Sequence, residues 1–211
     1  MEDKNHIIIC IGRQLGSGGH DIARMLATEF NAKYYDRELL NLAAKESGFS
    51  EKVFEQNDEQ KGFLRSLFSM QTSHLSGGGG GIYRSDISQE SLFQFQSDAI
   101  RKAASEGSCV FVGRCADYIL RDLPNVVKIF IMASMRHRID KVLERKEMTP
   151  KEAKRVIVQA EGHRASYYNY YTGKKWGAAE SYDLCIDSSI LGIEETEKLI
   201  AEFIRKRFHI V

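Results

Sequence analysis

Between Gly12 and His20 the chain reads Gly-Arg-Gln-Leu-Gly-Ser-Gly-Gly-His, with four glycines in nine positions. Glycines let a backbone approach an anion closely, and a loop that opens onto a helix presents several N–H groups and the positive end of the helix dipole to one point. Phosphate is the ligand such a loop suits, with a tight turn holding no ligand as the structural alternative. Gly12, Gly16, Ser17, Gly18 and Gly19 form the cradle. The pattern G-x-x-x-x-G-K-[ST] is not matched, because Gly19 and His20 stand roughly where Lys and Ser/Thr would be. A phosphate chain then needs its cation from elsewhere, either from Arg13 inside the loop or from a basic stretch further on. An imidazole at His20 is a poor ligand for a hard cation, so no protein ligand for Mg²⁺ is assigned. Asp21 reads either as a contributor through water or as a first-turn carboxylate favoured by the helix dipole.

The basic stretch is residues 136–175, which carry 11 Lys/Arg against 5 Asp/Glu although the whole chain has a net charge of only +1. A solvated helical face or a surface for phosphates both account for it. Within it, Arg136–Glu147 reads as a helix with Ile139, Val142 and Leu143 on its apolar side and Arg138, Lys141 and Arg145 elsewhere. Thr149-Pro150-Lys151-Glu152 is a capping box with proline at the first helical position. The stripe that follows, Ala153, Val156, Ile157 and Ala160, continues at the same spacing into Arg164, Tyr167 and Tyr168. An arginine turned inward requires an anion. That anion is either Glu161 or another internal acid, or a phosphoryl group held in a cleft. Tyr167 to Trp176 gathers four of the nine tyrosines and the single tryptophan beside two lysines. Such a cluster either stacks bases or packs to anchor a lid or a homodimer contact, and the near-balanced total charge argues against nucleic acid.

The elements that must position these groups follow from the hydrophobic pattern. Ile7–Ile11 is a β-branched run ending in the glycine loop, and Ile22, Met25, Leu26 and Phe30 then recur at helical spacing. Lys33-Tyr34-Tyr35, Cys109–Val112, Val126–Met132 and Tyr182–Ile186 read as further strands. Apolar strands alternating with helices predict an α/β chain with a parallel sheet covered on both faces. Helical patterns fill much of residues 37–106, broken by the loop Gly77–Gly81, and Ser88 is placed to cap a helix bearing Leu92, Phe93, Gln96, Ala99, Ile100 and Ala103. Gly107 stops that helix. Arg114 follows the strand Cys109–Val112 directly, at the carboxyl edge of the sheet. It serves there either a phosphate or an ion pair with Asp117 or Asp122.

Composition narrows the classes further. With 43 % hydrophobic and 28 % charged residues, the chain of 211 is neither disordered nor fibrous. Its longest apolar runs are too short to cross a bilayer. The opening Met-Glu-Asp-Lys-Asn-His lacks a basic region leading into a long apolar one, so a cytoplasmic protein is expected. Cys10, Cys109, Cys115 and Cys185 lie far apart without C-x-x-C spacing and read as free thiols before a metal site or a disulfide.

Taken together, these segments resemble the cytidylate-kinase-like branch of the P-loop nucleoside monophosphate kinases. The resemblance is carried by Ile9–Arg13 through Gly19, Tyr34-Tyr35-Asp36-Arg37-Glu38-Leu39, Val110-Phe111-Val112-Gly113-Arg114, Glu161-Gly162-His163-Arg164 and Tyr182–Asp187. It implies a three-layer P-loop kinase-like parallel sheet built from residues 1–36, 107–135 and 176–211. A helical acceptor-binding sub-domain at about 37–106 and a helical lid at about 136–172 would complete it. It also implies transfer of the ATP γ-phosphoryl group to a nucleoside monophosphate such as CMP, with Mg²⁺. On this resemblance, Gly12, Arg13, Gly16, Ser17, Gly18, Gly19 and His20 hold donor phosphates, and Asp36, Arg37 and Arg114 face the acceptor. Arg114, Arg145 and Arg164 would assist transfer. Cys115 stands where the family has Asp after its Gly-Arg pair, and Glu161 replaces the usual Asp three residues before the lid arginine. A kinase of another small acceptor, and a nucleotide-binding protein without turnover, are the other readings.

Overall fold

Five short β-rich runs align in one direction because every connection between them crosses back over the sheet. A computed structural model of the chain describes residues 6–36 and 82–210. The strands are β1 (Ile8–Arg13), β2 (Lys33–Tyr35), β3 (Cys109–Val112), β4 (Val126–Met132) and β5 (Leu184–Asp187). All pairings are parallel and the spatial order is β2-β3-β1-β4-β5. The described helices are α1 (Gly19–Glu29), α2 (Ile82–Glu106), α3 (Ala116–Ile119), α4 (Met135–Leu143), α5 (Pro150–Thr172) and α6 (Ser188–Phe208, broken at Gly192).

The chain divides into two compact units, Met1–Arg37 with Arg101–Val211, and Glu38–Ile100. In the first, alternate strand residues Ile9, Ile11, Val110, Val112, Val127, Ile129 and Ile131 face Ile22, Leu26, Ile200 and Ile204 of α1 and α6. The opposite sheet face buries Cys10, Phe111 and Phe130. There Tyr35 stacks on Phe111, while Trp176 and Tyr182 close on Phe130 with ring centroids 5.3 and 4.9 Å away. The central strands β1, β3 and β4 are therefore largely covered on both faces, as parallel sheets require, while the edge strands β2 and β5 stay partly exposed. In the second unit, α2 buries Gln96, Ser97 and Ile100. The helical patterns of 37–81, the run Gly77–Gly81 and Arg37 lie outside the described residues. Among the described residues no helix is long and apolar enough to cross a membrane, and the four cysteines are free thiols.

Several boundaries differ from the sequence reading. β1 runs on to Arg13 because Gly12 and Arg13 stay in register with Phe130 and Ile131 of β4; two residues assigned to the loop belong to the sheet. The last strand is Leu184–Asp187, not Tyr182–Ile186, since Tyr182 turns its ring onto Phe130. α2 already includes Ile82, so Ser88 is an interior helical residue and not a cap. α4 ends at Leu143, and its N-cap is Ser134, which accepts a hydrogen bond from the His137 N–H. The capping box at Thr149 and Glu152 forms as expected and starts α5.

Candidate functional site

The glycine loop is built from β1, the turn 14–18 and the first turn of α1. Its walls come from distant elements. The Gln14 side chain accepts from the Ala133 N–H at 3.1 Å, and Ser188 Oγ donates to the Ser17 carbonyl at 2.7 Å. Leu15 packs among the apolar residues of the α4–α5 hairpin, around Val142, Ala153 and Ile157. Gly16 has φ +82°, and a Cβ there would lie 2.8 Å from the Arg138 carbonyl oxygen, so the turn accepts only glycine against the backbone of α4. The Gly18 carbonyl accepts from the Asp21 and Ile22 N–H groups. The amides of Gly19 and His20 thus lie in the first helical turn, where no intrahelical acceptor exists, and Gly18 supplies no side-chain cap. A helix start of this kind leaves its amides open to water or an anion.

Three arginines converge beside it. The Arg13 guanidinium lies between His20 and Gly113, with Nη2 3.4 Å from His20 Nε2. Arg164, from the inner face of α5, donates through Nη1 to the Arg13 carbonyl at 3.2 Å. Arg114 lies with its guanidinium carbon 5.0 Å from the centre of the Tyr167 ring, one helical turn beyond Arg164. Burial, with the charges of Arg164 and Arg114 added, pulls Arg13 down to about 9, and Asp36 at the end of β2 opposes the shift. Burial also lowers Arg164. The backbone carries strain at the same place, since Arg114 and Cys115 both adopt left-handed φ of 57° directly after Gly113. Non-glycine residues in that region cost about 1–2 kcal/mol each.

His20 is neutral in this setting. Burial and the Arg13 charge hold it down to about 4 from an ordinary 6.5. A guanidinium only donates, so Nε2 is the accepting nitrogen and Nδ1–H donates to Tyr34 Oη at 2.8 Å. Protons therefore bind the unfolded chain more tightly than the folded one between pH 6.5 and 4. Stability from this group is whole above 6.5 and falls as the pH drops toward 4. Facing groups are Arg13, Arg24, Tyr34, Asp36 and Arg164. In urea unfolding at pH 7.0 and 4.5, His20→Asn should shrink the loss of stability seen for the wild type. An equal loss in both proteins would show that His20 is not the titrating group.

Other sequence-derived partners differ. Arg138, expected away from the apolar side, is 4 % exposed and pairs with Glu161 across the hairpin. Glu161 is therefore taken, and Arg164 finds its acceptor on a backbone carbonyl. Arg145 lies 3.3 Å from Asp21 in an exposed pair and is not brought to the arginine cluster. Neither acid proposed for Arg114 holds it: Asp117 accepts from Tyr168 Oη at 2.7 Å, and Asp122 lies 3.8 Å from Arg121. Val156, counted in the apolar stripe, is 38 % exposed. The tyrosine cluster packs on itself, with Tyr171 between Tyr167 and Tyr170, and only Tyr170 is largely exposed at 74 %. Sequence reasoning missed the Arg138–Glu161 pair and the role of Tyr34, whose only signal was its place two residues before Asp36.

The residue set fits phosphate: uncapped amides, three cations and a buried Arg13 Nε without a partner. It does not fit direct Mg²⁺ coordination from the loop. His20 presents nitrogens already facing Arg13 and Tyr34, and Ser17 Oγ donates to the Gln14 carbonyl.

A sequence model of the cytidylate kinase-like family matches residues 8–190. The chain belongs to the cytidylate kinase-like family. Within reach of this family, cytidylate kinase of Methanopyrus kandleri is 25 % identical over 202 residues, covering 92 % of this chain and 91 % of that protein. A solved structure of an uncharacterized protein from Eubacterium ventriosum is 29 % identical with a TM-score of 0.71, covering 94 % of this chain and 98 % of that one. A gluconokinase from Sinorhizobium meliloti, 11 % identical with a TM-score of 0.54 and 96 % coverage of both chains, shares the fold alone. Family and fold together support a phosphotransferase.

Proposed function

We propose that this cytidylate kinase-like chain moves the γ-phosphoryl group of ATP to a nucleoside monophosphate such as CMP. The observation that carries the reading is the convergence of Arg13, Arg114 and Arg164 beside an uncapped glycine-loop helix. That much positive charge repels itself until phosphates enter. The loop amides other than that of Ser17, which already donates to the Gln14 carbonyl, hold the donor phosphates. Asp36, Arg37 and Arg114 face the acceptor, whose phosphate oxygen attacks the γ-phosphorus as the bond to the β–γ bridging oxygen breaks and ADP leaves. No covalent intermediate with the protein is required, because alignment and cationic stabilisation supply the rate. Arg164 and Arg145 belong to the α4–α5 lid at about 136–172, and residues at about 37–106 form the acceptor sub-domain. Mg²⁺ bound to the phosphates would neutralise charge on the transferring group.

The glycine at position 19 favours a second reading, nucleotide binding without turnover. Incubation with ATP·Mg²⁺ and a panel of monophosphates, sugars and small hydroxy acids, followed by phosphorus NMR, separates the two. CMP should give ADP and CDP. ATP at a hundred times its Kd should stabilise the fold by about 2.7 kcal/mol. No shift of Tm at millimolar ATP or GTP would end both readings; a shift without any phosphorylated product would leave the second.

A further inference from the structure

Position 19 is a glycine, and the space its side chain would need is already taken. A Cβ built on Gly19 would lie 2.5 Å from Cβ and 2.9 Å from Cγ of Arg13. At the other end, a Cβ on Gly113, which has φ +76°, would lie 2.5 Å from Arg13 Nη1. Two glycines from separate elements, the start of α1 and the end of β3, thus form the passage through which the Arg13 side chain runs. Its backbone is fixed on both sides, by register with Ile131 and by the hydrogen bond from Arg164 to its carbonyl. Its Nη2 faces the His20 ring, and its Nε is buried without a partner. A buried N–H left unpaired is costly, and a guanidinium crowded by two others is more so. An anion with several oxygens relieves both.

Resting on the phosphate-loop reading above, we propose that Arg13 does the work of the missing loop lysine, reaching the donor's terminal phosphates from the end of β1 instead of from the start of α1. The planar fork offers two parallel donors where an ammonium offers a point charge. It extends from His20 to Gly113, next to Arg114, and so lies between the donor loop and the strand end that faces the acceptor. Gly19 is then a glycine because Arg13 is present, whereas Gly113 is already favoured by its φ of +76°. A lysine at position 19 and an arginine at position 13 exclude each other, and the charge can be moved only by exchanging both residues.

Calorimetric titration with inorganic tripolyphosphate tests this without an acceptor or a nucleobase. The proteins are the wild type, Arg13→Met, Gly19→Lys and the double variant Arg13→Ala with Gly19→Lys, each checked for an unchanged far-ultraviolet circular dichroism spectrum. Arg13→Met should bind at least tenfold more weakly than the wild type. Gly19→Lys should also bind more weakly although it adds a positive charge, and the double variant should bind more tightly than Gly19→Lys. Arg13→Met binding within threefold of the wild type overturns the proposal while leaving the phosphate loop standing. Gly19→Lys binding more tightly than the wild type overturns it too, because both side chains would then fit. A wild type that does not bind tripolyphosphate overturns the proposal together with the loop reading beneath it.

Discussion

Arg114→Met should lower kcat/KM for phosphoryl transfer by about 10²–10³ while leaving the melting temperature almost unmoved. That loss is the range found when one preorganised electrostatic donor is removed from an active site. The structural role visible for Arg114 is small by comparison. Its guanidinium lies against the Tyr167 ring, an interaction worth about 0.5–1 kcal/mol at a partly exposed site, and a methionine retains the contact along its stem. Both acids that would have made it a structural ion pair are engaged by Tyr168 and Arg121. The backbone supplies a second variant. Because Arg114 has φ 57°, Arg114→Gly relieves about 1 kcal/mol of left-handed strain, which offsets the lost contact with Tyr167 and the added freedom of the unfolded chain, so stability should stay close to the wild type while turnover falls as much as with methionine. Turnover retained in either variant of an active enzyme would remove Arg114 from the chemistry.

Glu161→Ala should destabilise the α4–α5 hairpin by about 3 kcal/mol, because it strands the Arg138 guanidinium in the interior. The figure is the lower end of the usual range for breaking a buried pair. Arg138 keeps 5 % of its side chain exposed, but Glu161 keeps 19 %, so water reaches one partner. Arg138 Nε already lacks an acceptor, which leaves little to compensate the loss. Hydrogen exchange across residues 135–172 should accelerate. The effect should reach the glycine loop as well, since the Arg138 backbone forms the wall against Gly16 and Leu15 packs into the same hairpin. Arg138→Met combined with Glu161→Met should recover most of the stability, because apolar residues of similar volume replace a buried pair at little cost. A loss under 0.5 kcal/mol (~0.5 kcal/mol is the scale of an exposed pair) would mean that water screens the pair.

Much of the chemistry was legible locally. The run Ile-Ile-Ile-Cys-Ile followed by glycines and a 3.6-residue repeat specifies β1, the loop and α1, and Thr149-Pro150-Lys151-Glu152 specifies the start of α5, because each signal is complete within one or two turns of chain. The strands at 109–112 and 126–132 were legible for the same reason. What sequence did not determine is which charge meets which. Arg13 read as a loop residue until pairing with β4 placed it in the sheet. Glu161 was assigned near Arg164, three residues away, yet it pairs with Arg138, 23 residues earlier, and Arg164 bonds a carbonyl 151 residues away. A side chain's partner is the acceptor that packing brings within about 3 Å, and that distance is set by how helices lie on the sheet, a property no local window of residues contains.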